Sequence, residues 1–261
     1  RHRSTTPCAI SAFRHDYGLL QMIHYVESTT SSNDDARDPR YGEGDVVWAE
    51  FQTAGRGQRG HVWKSAAGCN VTFSLVLKPT FLAAREQFAI SEIVPLALVE
   101  MFAGYGIDAR IKWTNDVYVG DRKIVGMLIE HDLSGGMMSR TIAGIGINVN
   151  QREFDPALPN PTSMLLETGR EFDRREVLER FYDRVMSLYG ELRRGGGESI
   201  RRRYVEKMYR LGERHTYAWP DGTRFEGVIR GVGDAGELLV EHDDGTVRGY
   251  LFKEIEFVIK K

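Results

Sequence analysis

Cysteine is scarce in this 261-residue chain, in which only Cys8 and Cys69 occur. Two cysteines are too few for the disulfide framework of a small secreted protein, and their spacing matches no metal-ligand motif. The amino-terminal segment also lacks the succession of basic, apolar and small residues that forms a secretory signal. These absences favour a protein of the reducing cytoplasm.

Long apolar runs and a strong net charge are missing as well. The most apolar stretch, 93–102, contains Pro95 and Glu100 and is shorter than the roughly 20 residues that a membrane-spanning helix requires. Lysine and arginine total 35 against 37 aspartates and glutamates, so no overall field attracts nucleic acid. The composition, with 41% hydrophobic residues, permits one large core and a small second domain beside it.

Alternating apolar residues predict a sheet in the first 150 residues. In 70–77 four apolar residues share one face while Thr72 and Ser74 share the other, which is typical of a sheet covered on one side. A helix at 86–102, with Pro95 kinking or restarting it, is predicted to provide that cover. Further strands are predicted at 21–26, 45–51, 108–113, 117–119, 123–130 and 141–149.

The remainder of the chain predicts two helices and then a second, smaller domain. Asp173, with Glu176 three residues later, resembles a capping box that starts a long amphipathic helix, and another helix is expected at 199–209. After about Leu211 the chain changes to short strands with Asp-Gly turns at 221–222 and 244–245. The predicted domains are therefore 1–211 and a small β-barrel at 212–261.

The most distinctive segment is a glycine- and arginine-rich loop at 52–65. Its glycines allow backbone N–H groups to turn toward an anion, and Arg56, Arg59 and Lys64 add positive charge. No Gly-Lys-Ser/Thr ends it, as a Walker A loop requires, and no helix follows it, as a dinucleotide fingerprint requires. Composition alone leaves open a phosphate-facing loop or an ordinary flexible surface loop.

A second motif runs from Lys112 to Asp116. In an extended strand Lys112 points away from the buried face, where it could neutralise a carboxylate and a phosphate brought together. Asn115 and Asp116 could hold metal-bound phosphates. The alternative is an exposed strand end that closes in a simple Asn-Asp turn.

Glycines recur on one face of two predicted strands. Gly126 shares a face with Leu128, as Gly144 and Gly146 share one with Asn148. Glycine weakens a strand and indicates that something approaches the backbone closely. Either a bound ligand or a tightly packed helix would explain the pattern.

Taken together, these segments resemble the biotin protein ligases, also called biotin–acetyl-CoA-carboxylase ligases. The likeness lies in 27–29, 52–65, 112–118, 123–130 and 144–149, in the order of the family. It implies an α+β fold with a mixed, mainly antiparallel sheet flanked by helices, of the class II synthetase-like kind, and a small carboxy-terminal SH3-like β-barrel. It also implies a two-step reaction, in which biotin and MgATP give biotinyl-5′-AMP and biotin then passes to a lysine of a biotin carboxyl carrier protein.

The resemblance further implies roles for individual residues. Lys112 and Arg56 are expected to be catalytic, with Lys112 between the biotin carboxylate and the α-phosphate. Biotin is expected to contact Ser28, Thr29, Gln52, Gly55, Arg56, Gly57, Trp63, Lys112, Gly126 and Leu128. ATP or the adenylate is expected to contact Gln58, Arg59, His61, Lys112, Asn115, Asp116 and Asn148. No metal ligand is certain, although Mg²⁺ is expected near Asp116.

Three departures from the family pattern stand out. Gln58 and His61 occupy positions where relatives carry arginine, so retention of the adenylate is expected to be weaker and Gln58→Arg is expected to slow its release. Thr114 replaces a common proline, which affects only the turn. Too few residues precede the first predicted strand for a helix-turn-helix domain, so no DNA binding is expected from this chain, whereas a homodimer is compatible with it.

Two rival functions remain open. A lipoate ligase shares the fold, but its double-arginine, triple-glycine signature is not supplied by 195–197, which follow a helix of the wrong region. A non-catalytic vitamin- or DNA-binding module would bind biotin without regard to ATP. Exchange of labelled pyrophosphate into ATP, driven by one vitamin and not the other, distinguishes these readings.

Overall fold

The computed structural model describes residues 22–58 and 62–259. Within them a seven-stranded sheet has the strand order β1-β2-β3-β7-β6-β5-β4. Its strands are β1 (Ile23–Thr29), β2 (Val46–Gln52), β3 (Val71–Leu77), β4 (Ala109–Lys112), β5 (Asp116–Val119), β6 (Arg122–Ser134) and β7 (Met137–Ile147). Only the β1–β2 pair is parallel; the other pairs are antiparallel. The predicted mixed, mainly antiparallel sheet is confirmed.

Helices flank this sheet. They are α1 (Ser32–Asp35), α2 (Phe88–Gly104), α3 (Met164–Thr168), α4 (Arg174–Arg193) and α5 (Gly197–Glu206). The predicted start of α4 is confirmed, because the Asp173 carboxylate accepts hydrogen bonds from the N–H groups of Arg175 and Glu176. Helix α2 continues through Pro95 rather than restarting there.

The apolar stretch around α2 is longer than the segment 93–102 that the sequence indicated. With the short turn before it, the helix covers 84–104 and is long and apolar enough, by composition, to cross a membrane. In this structure, however, 67% of its most apolar window is buried, and α2 packs against α4, α5 and β4. A mostly buried core helix passes the same composition test, so the helix is weak support for a membrane span.

Strand β3 is buried on both faces, so the predicted one-sided cover is wrong. Phe73 packs on Phe181 of α4, with 5.4 Å between the ring centroids. On the opposite face Ser74 is also fully buried, because Ser32 and Asn33 of α1 cover it. The buried hydroxyl of Ser74 is tolerated there because Ser32 and Asn33 provide its hydrogen-bond partners.

A second, five-stranded antiparallel sheet closes the chain, in the order β11-β10-β9-β8-β12. Its strands are β8 (Arg214–Ala218), β9 (Arg224–Val232), β10 (Leu238–His242), β11 (Val247–Tyr250) and β12 (Glu256–Phe257). This second sheet agrees with the small carboxy-terminal β unit that the sequence predicted. The domain boundary near Leu211 stays a prediction, because one hydrophobic core contains residues of both sheets.

Candidate active site

Strand register brings the separate sequence motifs into one row across the sheet. Lys112 pairs with Asp116, Asp116 with Gly126, Gly126 with Gly146, and Gly146 with Thr72. Cross-strand partners share a face, so these five residues point to the same side of the sheet. A neighbouring row contains Leu128, Gly144 and Ser74. Residues more than 70 positions apart in the chain thus form one floor.

Above this floor lies a cavity of about 450 Å³. Its walls come from α1, the glycine-rich loop, the segment 154–161 and the carboxy-terminal unit. Predicted site residues that line it are Gln52, Arg56, Gly57, Gln58, Trp63, Lys112, Asn115, Asp116, Gly126, Leu128 and Asn148. The sequence motifs therefore converge on one cavity, as expected of a single site.

The glycines of the floor are explained by two close approaches. A Cβ built on Gly146 would lie 2.2 Å from Cε2 of Trp63, and one on Gly126 would lie 2.7 Å from Cζ3 of the same indole. A Cβ on Gly144 would lie 2.1 Å from Oδ1 of Asn33. The predicted close approach is confirmed, and it comes from the loop tryptophan and from α1, not from a long helix packed on the sheet.

Trp63 is held over the floor by the loop itself. Its backbone N–H donates to the carbonyl oxygen of Gly55, and a Cβ on Gly55 would lie 2.5 Å from the carbonyl oxygen of Trp63. Gly55 is therefore buried beneath the loop and is absent from the cavity wall. The indole Nε1 is buried and has no hydrogen-bond partner among the described residues.

Polar groups converge at the α1 end of the cavity. Gln52 Oε1 accepts from the backbone N–H of Ser32 at 2.7 Å, and the hydroxyls of Ser32 and Ser74 are 2.8 Å apart. The Ser74 hydroxyl donates to Oδ1 of Asn33 at 2.6 Å. Such a chain of donors and acceptors pre-orients the groups that a polar ligand would meet.

The structure places two predicted biotin contacts elsewhere. Ser28 is exposed on the edge strand β1 and Thr29 is half-buried, and neither lines the cavity. Ser31, Ser32 and Asn33 line it instead. Strand β1 extends to Thr29 and α1 begins only at Ser32, so the cavity wall starts after the predicted pair, whose contact with biotin stays a prediction. Serines followed by Asp34 and Asp35 are typical of a helix start, and this signal could have predicted α1 and its residues at the cavity.

Arg56 ties the loop to the sheet. Its Nη2 lies 2.8 Å from Glu130 Oε2 and 2.9 Å from Asp34 Oδ1, and Asn33 Nδ2 donates to the same Glu130 oxygen at 2.9 Å. Burial alone would raise the pKa of Glu130, but the hydrogen bonds from Asn33 and Arg56 outweigh it and hold that pKa below its usual value. Arg56 thus frames the cavity from a fixed position.

Lys112 stands between two aromatic rings. Its Nζ lies 5.3 Å from the centroid of Tyr118 and 4.7 Å from that of Phe257. Among the described residues, no hydrogen bond or ion pair to this ammonium is formed. Burial lowers the pKa of Lys112, although the charge of Asp116 acts in the opposite direction. The ammonium is therefore held by π faces and remains available to a ligand anion.

Lys123 is a site residue that the sequence reasoning missed. Its Nζ lies 2.7 Å from Asp116 Oδ1 and 5.9 Å from the ring centroid of Trp63. A register shift between Val117 and Tyr118 helps to set the position of this lysine beside the row of the floor. Simple alternation did not reveal it. Lys253 and Phe252 of the carboxy-terminal unit also line the cavity, and no local motif pointed to them.

Two predicted adenylate residues are also structural braces. The peptide bond Trp113–Thr114 is cis, and the Thr114 hydroxyl donates to Asn115 Oδ1 at 2.8 Å. The Asn115 side-chain amide donates to the carbonyl oxygen of Met127. Asn148 Nδ2 donates to the carbonyl oxygen of Thr162 at 2.9 Å, which fixes the amide at the cavity wall.

Arg59 and His61, both predicted to contact ATP or the adenylate, lie outside the described residues. The groups around Asp116 offer few ligands for a metal ion. Among the described residues, no three histidine, cysteine, aspartate or glutamate side chains converge. Asp116 is the one carboxylate among the described cavity-lining residues, and it is paired with Lys123. This donor set fits Mg²⁺ that enters with a nucleotide's phosphates, since Mg²⁺ commonly uses one or two carboxylates in such sites.

Comparison with known proteins agrees with this geometry. Residues 23–148 match the model of the biotin/lipoate A/B protein ligase family. The bifunctional ligase/repressor BirA of Bacillus spizizenii is 30% identical over 229 residues, which cover 86% of this chain and 70% of that protein. The biotin–[acetyl-CoA-carboxylase] ligase of Paracoccus denitrificans is 29% identical over 83% of this chain and 93% of its own length.

A solved structure extends the likeness to the whole fold. The biotin protein ligase from Aquifex aeolicus, in complex with biotin and ATP, superimposes with a TM-score of 0.77 and 26% identity. The match covers 91% of this chain and 99% of that one. The family match and the 30% identical relative show that the chain belongs to the biotin/lipoate A/B protein ligase family, and its cavity and the row from Lys112 to Thr72 agree with this.

Proposed function

We propose that this chain is an ATP-dependent biotin–[acetyl-CoA-carboxylase] ligase. The observation that carries the proposal is the single cavity in which the Ser32–Gln52 polar network and the Lys112–Lys123 cations lie above a glycine floor. An apolar body with one polar, uncharged end and one anionic end is complementary to that arrangement. Biotin has this shape, and relatives named as biotin ligases share the fold.

The uncharged end of biotin binds beside α1 in this proposal. A buried urea needs a partner for each donor and acceptor, and Ser32, Asn33 and Gln52 offer both kinds of group. They replace the predicted pair Ser28–Thr29. In this structure the indole of Trp63 lies directly on Gly126 and Gly146. In the proposal the bicyclic ring takes this place over Gly126 and Leu128 when biotin binds, and the displaced indole then covers it.

The carboxylate end and the nucleotide meet at Lys112. One carboxylate oxygen of biotin attacks the α-phosphorus of ATP, and the bond from that phosphorus to pyrophosphate breaks. Two anions must approach each other, so a desolvated ammonium between them lowers the barrier. Lys123 adds a second cation from the floor, and Gln58 and Lys253 face the same cavity. Asp116 would lie near Mg²⁺ bound with ATP, and that ion would supply neutralisation of phosphate charge.

In this proposal the loop 54–65 excludes water from the product. Biotinyl-5′-AMP is a mixed anhydride that water would hydrolyse, and a closed loop prevents this side reaction. Arg56 fastens the loop to Glu130, and Trp63 fastens it to the floor. Asn148, held by Thr162, remains the proposed contact for adenine.

In the second half-reaction the amine of an acceptor lysine attacks the acyl carbon, and AMP leaves with the phosphate oxygen. A biotin carboxyl carrier protein supplies that lysine, so no covalent enzyme intermediate is required. The cytoplasm is the proposed compartment, and the absence of DNA binding and a possible homodimer stay predictions.

The test is biotin-dependent exchange of labelled pyrophosphate into ATP, followed by transfer of labelled biotin to a carrier domain. We expect exchange with biotin and none with lipoate. Exchange driven by lipoate alone would reassign the substrate. Biotin binding that is independent of ATP, without exchange or labelling, would favour a vitamin-binding module.

A further inference from the structure

One aromatic ring of the carboxy-terminal unit faces the ammonium of Lys112, and Glu256 of the same strand acts on that ammonium by its charge. Phe257, in β12, presents its ring 4.7 Å from Lys112 Nζ, while Tyr118 of β5 faces the same atom from 5.3 Å. Phe257 does not line the cavity. Any effect of Phe257 on the chemistry must therefore pass through Lys112 and not through contact with substrate.

Phe257 is itself held from several directions. Its strand pairs with β8 so that Phe257 lies opposite Tyr217, and the two rings meet edge to face at 5.4 Å. On its other side Tyr209 lies 6.2 Å away and in turn packs on Tyr118 at 5.5 Å. Arg210 Nη1 donates to the next carbonyl oxygen, that of Val258, at 3.1 Å. These contacts fix the ring relative to β5.

Lys112 has no hydrogen bond or ion pair within the described part of the chain, so something other than these contacts must define the position of its ammonium. A ring face attracts a cation, and the attraction is strongest where both partners are shielded from water. Two rings of fixed orientation confine Nζ far better than one, because a single face leaves the flexible lysine free to slide along it.

We infer that Phe257 is a positioning residue for the reaction: together with Tyr118 it aims the ammonium of Lys112 at the point where carboxylate and α-phosphate meet. The carboxy-terminal sheet is thereby part of the catalytic apparatus. This inference rests on the proposed function for its consequence in catalysis, whereas the placement of Lys112 by Phe257 is independent of the substrate.

The experiment compares Phe257→Leu, which removes the π face and keeps apolar bulk, with Phe257→Tyr, which keeps the face. The matched control is Phe225→Leu. Phe225 belongs to the same small sheet, is also half-buried and also packs on Tyr217, at 5.8 Å, but has no contact with Lys112. Thermal unfolding of the full-length variants establishes that all three are folded.

In biotin-dependent pyrophosphate exchange we expect Phe257→Leu to lower kcat by roughly threefold to thirtyfold, the range of a cation–π contact, with the KM values for biotin and ATP changed by less than about twofold. Phe257→Tyr should restore most of kcat, and Phe225→Leu should leave it unchanged. An unaltered kcat in Phe257→Leu, failure of Phe257→Tyr to rescue, or an equal loss in Phe225→Leu would overturn the inference.

A readout without substrates separates this inference from the proposed function. The ε-methylene protons of Lys112 lie near two ring faces, so their NMR signal should be shifted upfield by ring currents. That shift should shrink in Phe257→Leu and persist in Phe257→Tyr and Phe225→Leu. If the wild type shows the shift but no exchange with biotin, the proposed function fails; if Phe257→Leu retains the full shift, the positioning role fails.

Discussion

At the residue scale, Lys112 illustrates how burial prepares a cation for two anions. Its ammonium faces two aromatic rings and forms no hydrogen bond or ion pair among the described residues, and burial lowers its pKa although the charge of Asp116 raises it. A bound anion therefore stabilises it more than it would stabilise a hydrated lysine. The cost of its desolvation is recovered when carboxylate and phosphate arrive together. This places its contribution mainly in the transition state.

Lys112→Ala is expected to reduce kcat for pyrophosphate exchange by about 100-fold or more, the order seen when an electrostatic stabiliser is removed, while biotin still binds. Exchange kinetics and calorimetric titration with biotin check the two parts. Lys78→Ala, at an exposed position, is the control. A Lys112→Ala variant with wild-type exchange would show that another cation carries the role.

Each glycine of the floor can be tested by a single substitution. Gly146→Ala would place a methyl carbon 2.2 Å from the indole of Trp63, so the ring must move away from the sheet. We expect biotin affinity to fall at least tenfold, accompanied by a change in tryptophan fluorescence. Gly104→Ala is the control, because a Cβ there meets nothing within 4 Å. Unchanged fluorescence and affinity in Gly146→Ala would contradict this account of the floor.

At the element scale, Arg56 in the loop 54–65 forms ion pairs with Glu130 of β6 and Asp34 of α1. Burial alone would raise the pKa of Glu130 in this anchor, but the hydrogen bonds from Asn33 and Arg56 outweigh burial and lower it, so the charged form of Glu130 is favoured in the folded state. A depressed folded-state pKa adds stability above the unfolded pKa, and this stability is lost as pH falls through the folded value. The anchor is therefore present at neutral pH and weakens only in acid.

Glu130→Gln imitates that loss at neutral pH. We expect faster tryptic cleavage within 56–64 and faster escape of the adenylate, because the loop loses its ionic tie while the rest of the fold is retained. Limited proteolysis and a chase of bound biotinyl-AMP measure the two effects. Glu179→Gln, which breaks a surface pair with Arg175 on α4, is the control. Equal cleavage in both variants would show that the loop is held by Trp63 alone.

At the scale of the whole molecule, the two sheets are joined by a shared core and by polar ties. Trp113 Nε1, buried, donates to the carbonyl oxygen of Gly236 at 2.9 Å, and Arg201 bridges Glu92 of α2 and Asp234. Phe88 of α2 also packs tightly against Gly236. The carboxy-terminal unit is therefore a structural support of the strand that carries Lys112.

Removal of residues 212–261 is expected to expose this core and to leave the Trp113 N–H without its partner, so the remaining chain should aggregate or unfold well below the melting temperature of the intact protein. Circular dichroism with thermal melting, performed beside the full-length chain, checks the expectation. A truncated chain with an unchanged melting temperature would mean that the first sheet is self-sufficient.

The sequence by itself determined much of this protein. Alternation predicted the strands, capping placed α4, and paired glycines revealed that something lies close to β6 and β7, because each of these signals depends on near neighbours in the chain. The loop 52–65 and the Lys112 motif indicated the chemistry for the same reason. The Ser28–Thr29 contact stays a prediction; neither residue lines the cavity, because β1 ends only at Thr29, a boundary that local patterns define poorly.

Only the tertiary structure decided which groups meet. Strand register aligned Lys112, Asp116, Gly126, Gly146 and Thr72, and it brought Lys123 beside them through a register shift. The pairing of Phe257 with Lys112 joins segments 145 positions apart through two different sheets. Such contacts arise when distant parts of the chain pack together. Their energy depends on the whole core, so no short stretch of residues predicts them.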